Sequence, residues 1–299
     1  MKRGRPYEIA IIGMGCRFAG ASDLSTYFEN ILSAKDCTGE VPRDRWNARA
    51  FCDPDSQAVD RVPSCRGGYL ESPIRFDAAE HGIMPRTIEG GEPEQFLVLD
   101  ATMSALADAD IAIDSLMQNR VDVVIGRGNY FNRGNLTRLQ HGRMIDQTLS
   151  VLAALHPEWS AADLEAIRSD LRSSLPPFES ATIPGQLTNA TAGRLAHRLN
   201  LSGASFVVDA ASASSLVAVD LAARALLEKR ADMAIAGGVY LEADVDFPLV
   251  FRQLNALSRS GTARPFAAAA DGMIPGEGVG VVILKRRADA EREIGRAHV

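Results

Sequence analysis

Short unbroken apolar runs recur along the chain: Ile9-Ala10-Ile11-Ile12, Val121 to Gly126, Phe206-Val207-Val208, Met233 to Val239 and Val281 to Leu284. Each is rich in β-branched or small residues and bounded by Gly, Asp or Lys, which predicts strands buried on both faces. Between them the apolar positions return every three or four residues. That spacing predicts helices over Leu24 to Leu32, Glu92 to Ile111 and from Leu216 through Leu227. Two more helical stretches fall in 136–180, broken at His156-Pro157 and ended by Pro176-Pro177. Ser22 or Asp23 caps the first helix, and Ser160 to Asp163 reads as a capping start. Strand and helix alternate, so the sheet is expected to be parallel or mixed and covered on both sides. Residues 48–72, rich in Pro, Gly, Asp and Ser, read as a long surface loop.

Ser205 through Val219 holds the candidate chemistry. Its first half reads as a buried strand, and its second half is a set of small residues leading into a helix. A sharp strand-to-helix turn through small residues leaves one side chain at the helix N-terminus. There, free N–H groups and the helix dipole favour developing negative charge. Ser212 occupies that place. The plainer alternative is that Ser212, Ser214 and Ser215 only cap the helix.

Composition narrows the class. A chain of 299 residues holds one large or two ordinary domains, and 46% hydrophobic with 23% charged residues describes a soluble globular protein. A net charge of −6 gives no support for a nucleic-acid surface. Cys16, Cys37, Cys52 and Cys65 have neither metal-ligand spacing nor a C-x-x-C pair, and are expected to be reduced thiols in the cytoplasm. The basic start followed by Ile9 to Gly15 mimics a secretory signal. Glu8 and Arg17 interrupt it, so a first strand fits better. No run reaches the length of a membrane span. Gly13 and Gly15 suggest a dinucleotide turn, but Phe18 stands where a third glycine is needed, so both are read as structural.

Val208-Asp209-Ala210-Ala211-Ser212-Ala213-Ser214-Ser215-Leu216 resembles the active-site segment of β-ketoacyl synthases, with Ser212 standing where that family has its nucleophilic Cys. Other segments fit the same family in order. They are Pro42-Arg43-Asp44-Arg45-Trp46, Phe76 to Arg86, Pro184 to Leu201 (like the helix before the nucleophile strand), Leu257 to Phe266, and Ala270 to Gly280 with Gly276-Glu277-Gly278. The resemblance, of the type I polyketide or polyunsaturated fatty acid synthase kind, covers about 7–292. It implies an α/β fold, the thiolase-like layered α-β-α-β-α arrangement, as its N-terminal half plus the start of the C-terminal half. The layout so implied is a tail at 1–6, the N-terminal half at 7–254 with a helical excursion at 136–180, and the start of the second half at 255–292. The last seven residues, 293–299, match read-through of a sequencing adapter and are expected to be a non-native tail on a truncated reading frame.

The resemblance also implies the chemistry. Ketosynthases take an acyl chain from a carrier-protein thioester onto the Cys, decarboxylate a malonyl-type extender and join the two in a Claisen condensation. The backbone N–H of Ser212 would be the first oxyanion donor. No cofactor is implied, because substrates arrive on the phosphopantetheine arm of an acyl carrier protein. The implied partners are that carrier protein, a second copy in a homodimer joined through nucleophile strands, and neighbouring domains of a multidomain synthase. The family's catalytic histidines belong to its second half, and none of His81, His141, His156, His197 or His298 sits in a matching motif. His81 is expected in a loop with a solvated or loop-bonding role. Three explanations stand for Ser212: a native replacement in a domain that no longer condenses, a weaker acyl acceptor, or a single-base error. The rival from another class is a condensation-inactive partner with a chain-length-determining or scaffold role. A serine hydrolase lacks support, because Ser212 has no Gly-x-Ser-x-Gly elbow around it.

Overall fold

A computed structural model of the chain describes residues 8–89, 91–117, 119–128, 133–178, 180, 183–242 and 244–293. The chain divides into two compact units, one of 1–76, 93–130 and 188–299 and the other of 77–92 and 131–187. Seven strands occur among the described residues: β1 Ile9–Phe18, β2 Gly39–Glu40, β3 Arg66–Gly67, β4 Val121–Gly126, β5 Ser205–Val208, β6 Met233–Tyr240 and β7 Gly278–Arg286. Five of them form one mixed sheet in the order β1-β7-β6-β4-β5. Strands β5, β4 and β6 run parallel, whereas β7 is antiparallel to both β6 and β1. The segment 255–292 thus enters this same sheet through β7. The apolar runs become strands as expected.

Side chains alternate between the sheet's faces. Val124, Ala234, Ala236 and Leu284 pack under Ala218, Ala222, Ala225 and Leu226 of the helix Ser214–Leu227. The alternate positions, Val123, Ile125, Ile235 and Ile283, are fully buried on the other face. The helix Pro93–Asp108 lies along β1, β7 and β6, with Ala190–Arg198 beside it. Gly13 and Gly15 are structural, as expected. A Cβ on either would overlap the carbonyl oxygens of Ala105 and Ala101, so β1 seats on that helix only because both lack side chains.

The second unit is helical. It contains Pro85–Glu89, Arg133–Leu139, a π-turn at Gln140–Met144, Ile145–Leu155, Ala161–Ser174 and Ile183–Gln186. Ser160 and Asp163 form the expected capping box, each accepting from the other's backbone N–H at 3.2 and 2.8 Å. In the first unit Asp23 caps the helix Leu24–Leu32, accepting from Thr26 N at 2.8 Å.

Three expectations need correction. Strand β5 is not buried: it is a four-residue edge strand, paired only with β4, with Ser205 and Phe206 exposed and Val207 and Val208 half-buried. Residues 48–72 are a surface loop only in part: 53–61 are irregular and mostly exposed, but the rest is not. They carry the short helix Ala48–Phe51 and β3, which pairs with β2, and Val62 and Cys65 are buried with Val41, Trp46, Val245 and Leu257. That packing brings Cys52 and Cys65 together as a disulfide with Cα atoms 5.9 Å apart, so two of the four thiols are not free. Cys16 and Cys37 are free, and burial with the Asp23 charge pushes the Cys16 thiol up. His81, expected in a loop as solvated or loop-bonding, is buried there, which leaves the loop-bonding alternative. Of the two tails, 1–7 and 294–299 lie outside the described residues. Glu293 closes the last helix, Arg287–Glu293, and pairs with Lys285.

Candidate active site

The turn after β5 is built by its own backbone. Ala211 sits at φ 51°, in the left-handed region that L-residues rarely occupy, and this reverses the chain in one step. Asp209 Oδ1 accepts from Ala211 N at 2.9 Å. The hydroxyl of Ser214 accepts from Ala210 N at 2.8 Å and donates to Ala211 O at 2.6 Å. Ser214, buried at the first turn of the helix Ser214–Leu227, is therefore the serine that ties the turn. Ser212 stands two residues ahead of that helix, exposed, with no hydrogen-bond partner for its hydroxyl among the described residues. The helix has Ala213 at its N-cap and no side-chain cap, so Ser214 ties the turn without capping the helix and Ser212 is left presented. Gly126 and Gly238, at and near the ends of β4 and β6, let the helix start approach closely. A Cβ on Gly126 would overlap the backbone of Ser214, and one on Gly238 would come 2.7 Å from Ser215 Cβ.

Ser212 opens onto a cavity of about 530 Å³, within the range of small-molecule sites. Phe18, Tyr240 and Phe247 give it apolar walls, and Gly128, Gly238, Gly276, Gly278 and Gly280 leave bare backbone. Gly276, Glu277, Gly278 and Gly280 thus line the same cavity as the start of the helix Ser214–Leu227. No histidine lines this cavity among the described residues. Asp271 organises the preceding loop, accepting from Ser258 Oγ and Ser260 N, both at 2.8 Å, which holds its carboxyl down at about 2.

A buried charged network forms one wall, and sequence reasoning gave it no role. Glu277 accepts from Arg45 Nε (2.7 Å) and Nη2 (3.1 Å), from Leu70 N (2.8 Å) and from Glu242 N (3.2 Å). Glu242 accepts from Trp46 Nε1 at 2.7 Å, and burial pushes its carboxyl up to about 7. One carboxylate thus holds three segments distant in sequence against the glycine loop. Arg127, 2% exposed, follows β4 and also lines the cavity, with its backbone N–H on Val208 O at 3.0 Å. Its Nε is paired with the buried Glu94, which also accepts from Leu241 N at 3.0 Å. Burial pushes the Glu94 carboxyl up, and the Arg127 charge works against that. The signal for these groups was present: charged residues directly flank apolar strands at Arg127 and Glu242.

The family model described as "Beta-ketoacyl synthase, N-terminal domain" matches residues 7–290. The chain belongs to the β-ketoacyl synthase family. Subunits C and B of the phenolphthiocerol/phthiocerol polyketide synthase of Mycobacterium tuberculosis are 32% and 34% identical over 289 and 286 residues, or 96% and 95% of this chain. The chain spans only 14% and 16% of those proteins. Among solved structures, the oxazolomycin ketosynthase domain of Streptomyces albus superposes with TM-score 0.77 at 28% identity, covering 97% of this chain and 44% of that one. A cysteine-to-serine variant of the module 6 ketosynthase of the Bacillus subtilis bacillaene synthase gives 0.73 at 27%, covering 97% and 42%. These relatives are polyketide synthases and their ketosynthase domains, and the fold is the thiolase-like one. Among the described residues no helix is long and apolar enough to cross a membrane, and no three His, Cys, Asp or Glu residues cluster as metal ligands.

Proposed function

We infer that this ketosynthase chain supplies the acyl-accepting side of a β-ketoacyl synthase domain, with Ser212 at the nucleophile position. One observation carries the reading: Ser212 is held exposed on a sharp strand-to-helix turn, at the mouth of a cavity walled by the Gly276-Glu277-Gly278 loop. In this reading an acyl group transfers from a carrier-protein phosphopantetheine thioester to the Ser212 oxygen, releasing the carrier thiol, and the Ser212 N–H supports the tetrahedral oxyanion. Condensation with a malonyl-type extender follows. The domain works as a homodimer among neighbouring domains of a cytoplasmic multidomain synthase and needs no bound cofactor.

A second reading rests on the same residue. A hydroxyl with no base beside it stays protonated at neutral pH and is a poor acyl acceptor. That favours a condensation-inactive partner that keeps the fold for a scaffold or chain-length role. Intact-mass measurement of acyl loading separates the two, using an acyl thioester and the complete domain containing this chain. The enzyme reading expects slow loading on Ser212 and fast loading on Ser212→Cys. The scaffold reading expects both forms to stay unloaded.

A further inference from the structure

Two pairs of aromatic rings flank a strip of backbone that carries no side chains. Phe18 of β1 and Tyr240 of β6 both stand opposite Gly278 of β7. Residues directly opposite on antiparallel strands share a face, so bare backbone lies between the two rings where a third side chain would stand. Tyr240 is paired with Phe247, ring centroids 5.0 Å apart, and Phe18 with Tyr27 at 4.7 Å. The next position on that face of β7 is Gly280, whose partner on β6 is Gly238, close to Ser215. Ser212 opens onto the same cavity as these glycines.

The Phe18 ring leans over this floor. A Cβ on Gly278 would come 2.3 Å from the ring, and one on Gly280 would come 3.5 Å from it. The glycine at 278 is therefore what lets the ring lie there. A second cavity, of about 330 Å³, also has Phe18 in its wall, together with Ala21, Thr26, Leu70 and Ile74. Phe18 thus lines both cavities. Glu277 joins their walls, since its carboxylate on the Ser212 side accepts from Leu70 N at 2.8 Å. We propose that the Phe18 ring ends the Ser212 cavity and sets the longest straight acyl chain that it takes, keeping the chain out of the second cavity. The proposal rests on the Ser212 cavity being the acyl site, and it adds the residue that limits chain length.

The test needs binding alone and no chemistry. Amide analogues of butanoyl-, hexanoyl-, octanoyl-, decanoyl-, dodecanoyl- and tetradecanoyl-N-acetylcysteamine are titrated calorimetrically into the 299-residue chain. Affinity should rise about fourfold with each methylene buried, then level off at the length where the chain meets the ring. In Phe18→Ala the shortest probes should bind as before. The levelling should come about two methylenes or more later, because the space left by the ring opens the second cavity to the chain. Phe18→Leu, smaller than the ring but still apolar, is the second version, should the first fail to fold, and should move the levelling the same way. Levelling at the same length in the starting chain and the variant overturns the proposal and leaves the acyl-site reading standing. A gain of one factor at every length in the variant overturns it as well, as does affinity that climbs through the whole series in the starting chain. Binding of none of the probes overturns the acyl-site reading itself, and the Phe18 assignment with it.

Discussion

Strands β4 and β5 are neighbours, parallel, and nearly equal in apolar character, yet they end up in opposite environments. All six residues of β4 are buried, whereas β5 has two exposed residues and two half-buried ones. The difference is not in side-chain chemistry but in pairing. Strand β4 has a partner on each side, β6 and β5, while β5 has β4 alone. An apolar run therefore dictates that a strand forms, and the topology dictates how deep it lies. The turn that presents Ser212 follows the shallow strand, while Arg127 follows the deep one, and the N–H of Arg127 on Val208 O links the two ends. Presentation and anchoring are divided between adjacent strands.

The sharpest test of that division acts on the turn itself. Ser212→Cys should raise the rate of acyl loading by more than about a hundredfold. Loss of a single oxyanion donor already costs that much, and a thiolate changes the covalent step directly. Stopped-time intact mass gives the rate, and an unchanged rate would mean that the exposed turn presents nothing to an acyl group. On the deep strand, Ile125→Ala should cost about 2–5 kcal/mol of unfolding free energy, because the side chain is fully buried and its cavity cannot collapse between two paired strands. Urea titration followed by circular dichroism measures it. A cost below about 1 kcal/mol would remove the contrast between the strands.

The charged wall behind the cavity sharpens the comparison by pH. The carboxyl of Glu242 is raised from its ordinary 4.5 to about 7, mainly by burial. A raised carboxyl holds its proton more tightly in the folded chain. Its contribution is therefore present below pH 4.5 and is lost as pH rises through 7. The chain should lose about 2–3 kcal/mol between pH 5 and 8 from this group, an order-of-magnitude figure from 1.36 kcal/mol per pKa unit. Glu242→Gln should flatten that slope, because the amide oxygen still accepts from Trp46. Trp46 emission gives a local readout in a Trp159→Phe background, since Trp159 stacks on His156 and would respond to that ring. An emission transition near pH 7 that persists in Glu242→Gln would assign it elsewhere.

Much of this was legible in the sequence. The strands, the helices from Leu24, Pro93 and Ser214 and the Ser160 box all follow from spacing or capping residues. The failures share one physical cause. Strand depth, the buried part of 48–72 and the Cys52–Cys65 bridge depend on contacts between segments far apart in the chain, which local periodicity does not carry. The Arg45–Glu277 pair is of the same kind: each residue sits in a recognisable motif, and only the fold shows that the motifs hold one another. Ser214, and not Ser212, proved to be the hydroxyl that ties the turn. Two serines so close together look alike until their partners are known.

The smallest expected effect belongs to the exposed face of β5. Phe206 is 38% exposed, and the free edge beside it carries the unpaired backbone groups of a short strand. Phe206→Lys should change the chain's own unfolding free energy by less than about 1 kcal/mol, since little of the ring's apolar contact is given up. If two copies join through this edge, as the proposed homodimer requires, the same substitution places two like charges close together across the junction. Like charges facing one another on paired strands oppose pairing. Sedimentation velocity should then show the dimer fraction of the chain falling while its urea midpoint stays in place. A dimer that tolerates this substitution would put the joining surface elsewhere and leave β5 an edge without a partner. A large fall in the urea midpoint would instead show that Phe206 works like a core residue despite its exposure, and the contrast with β4 would lose its basis.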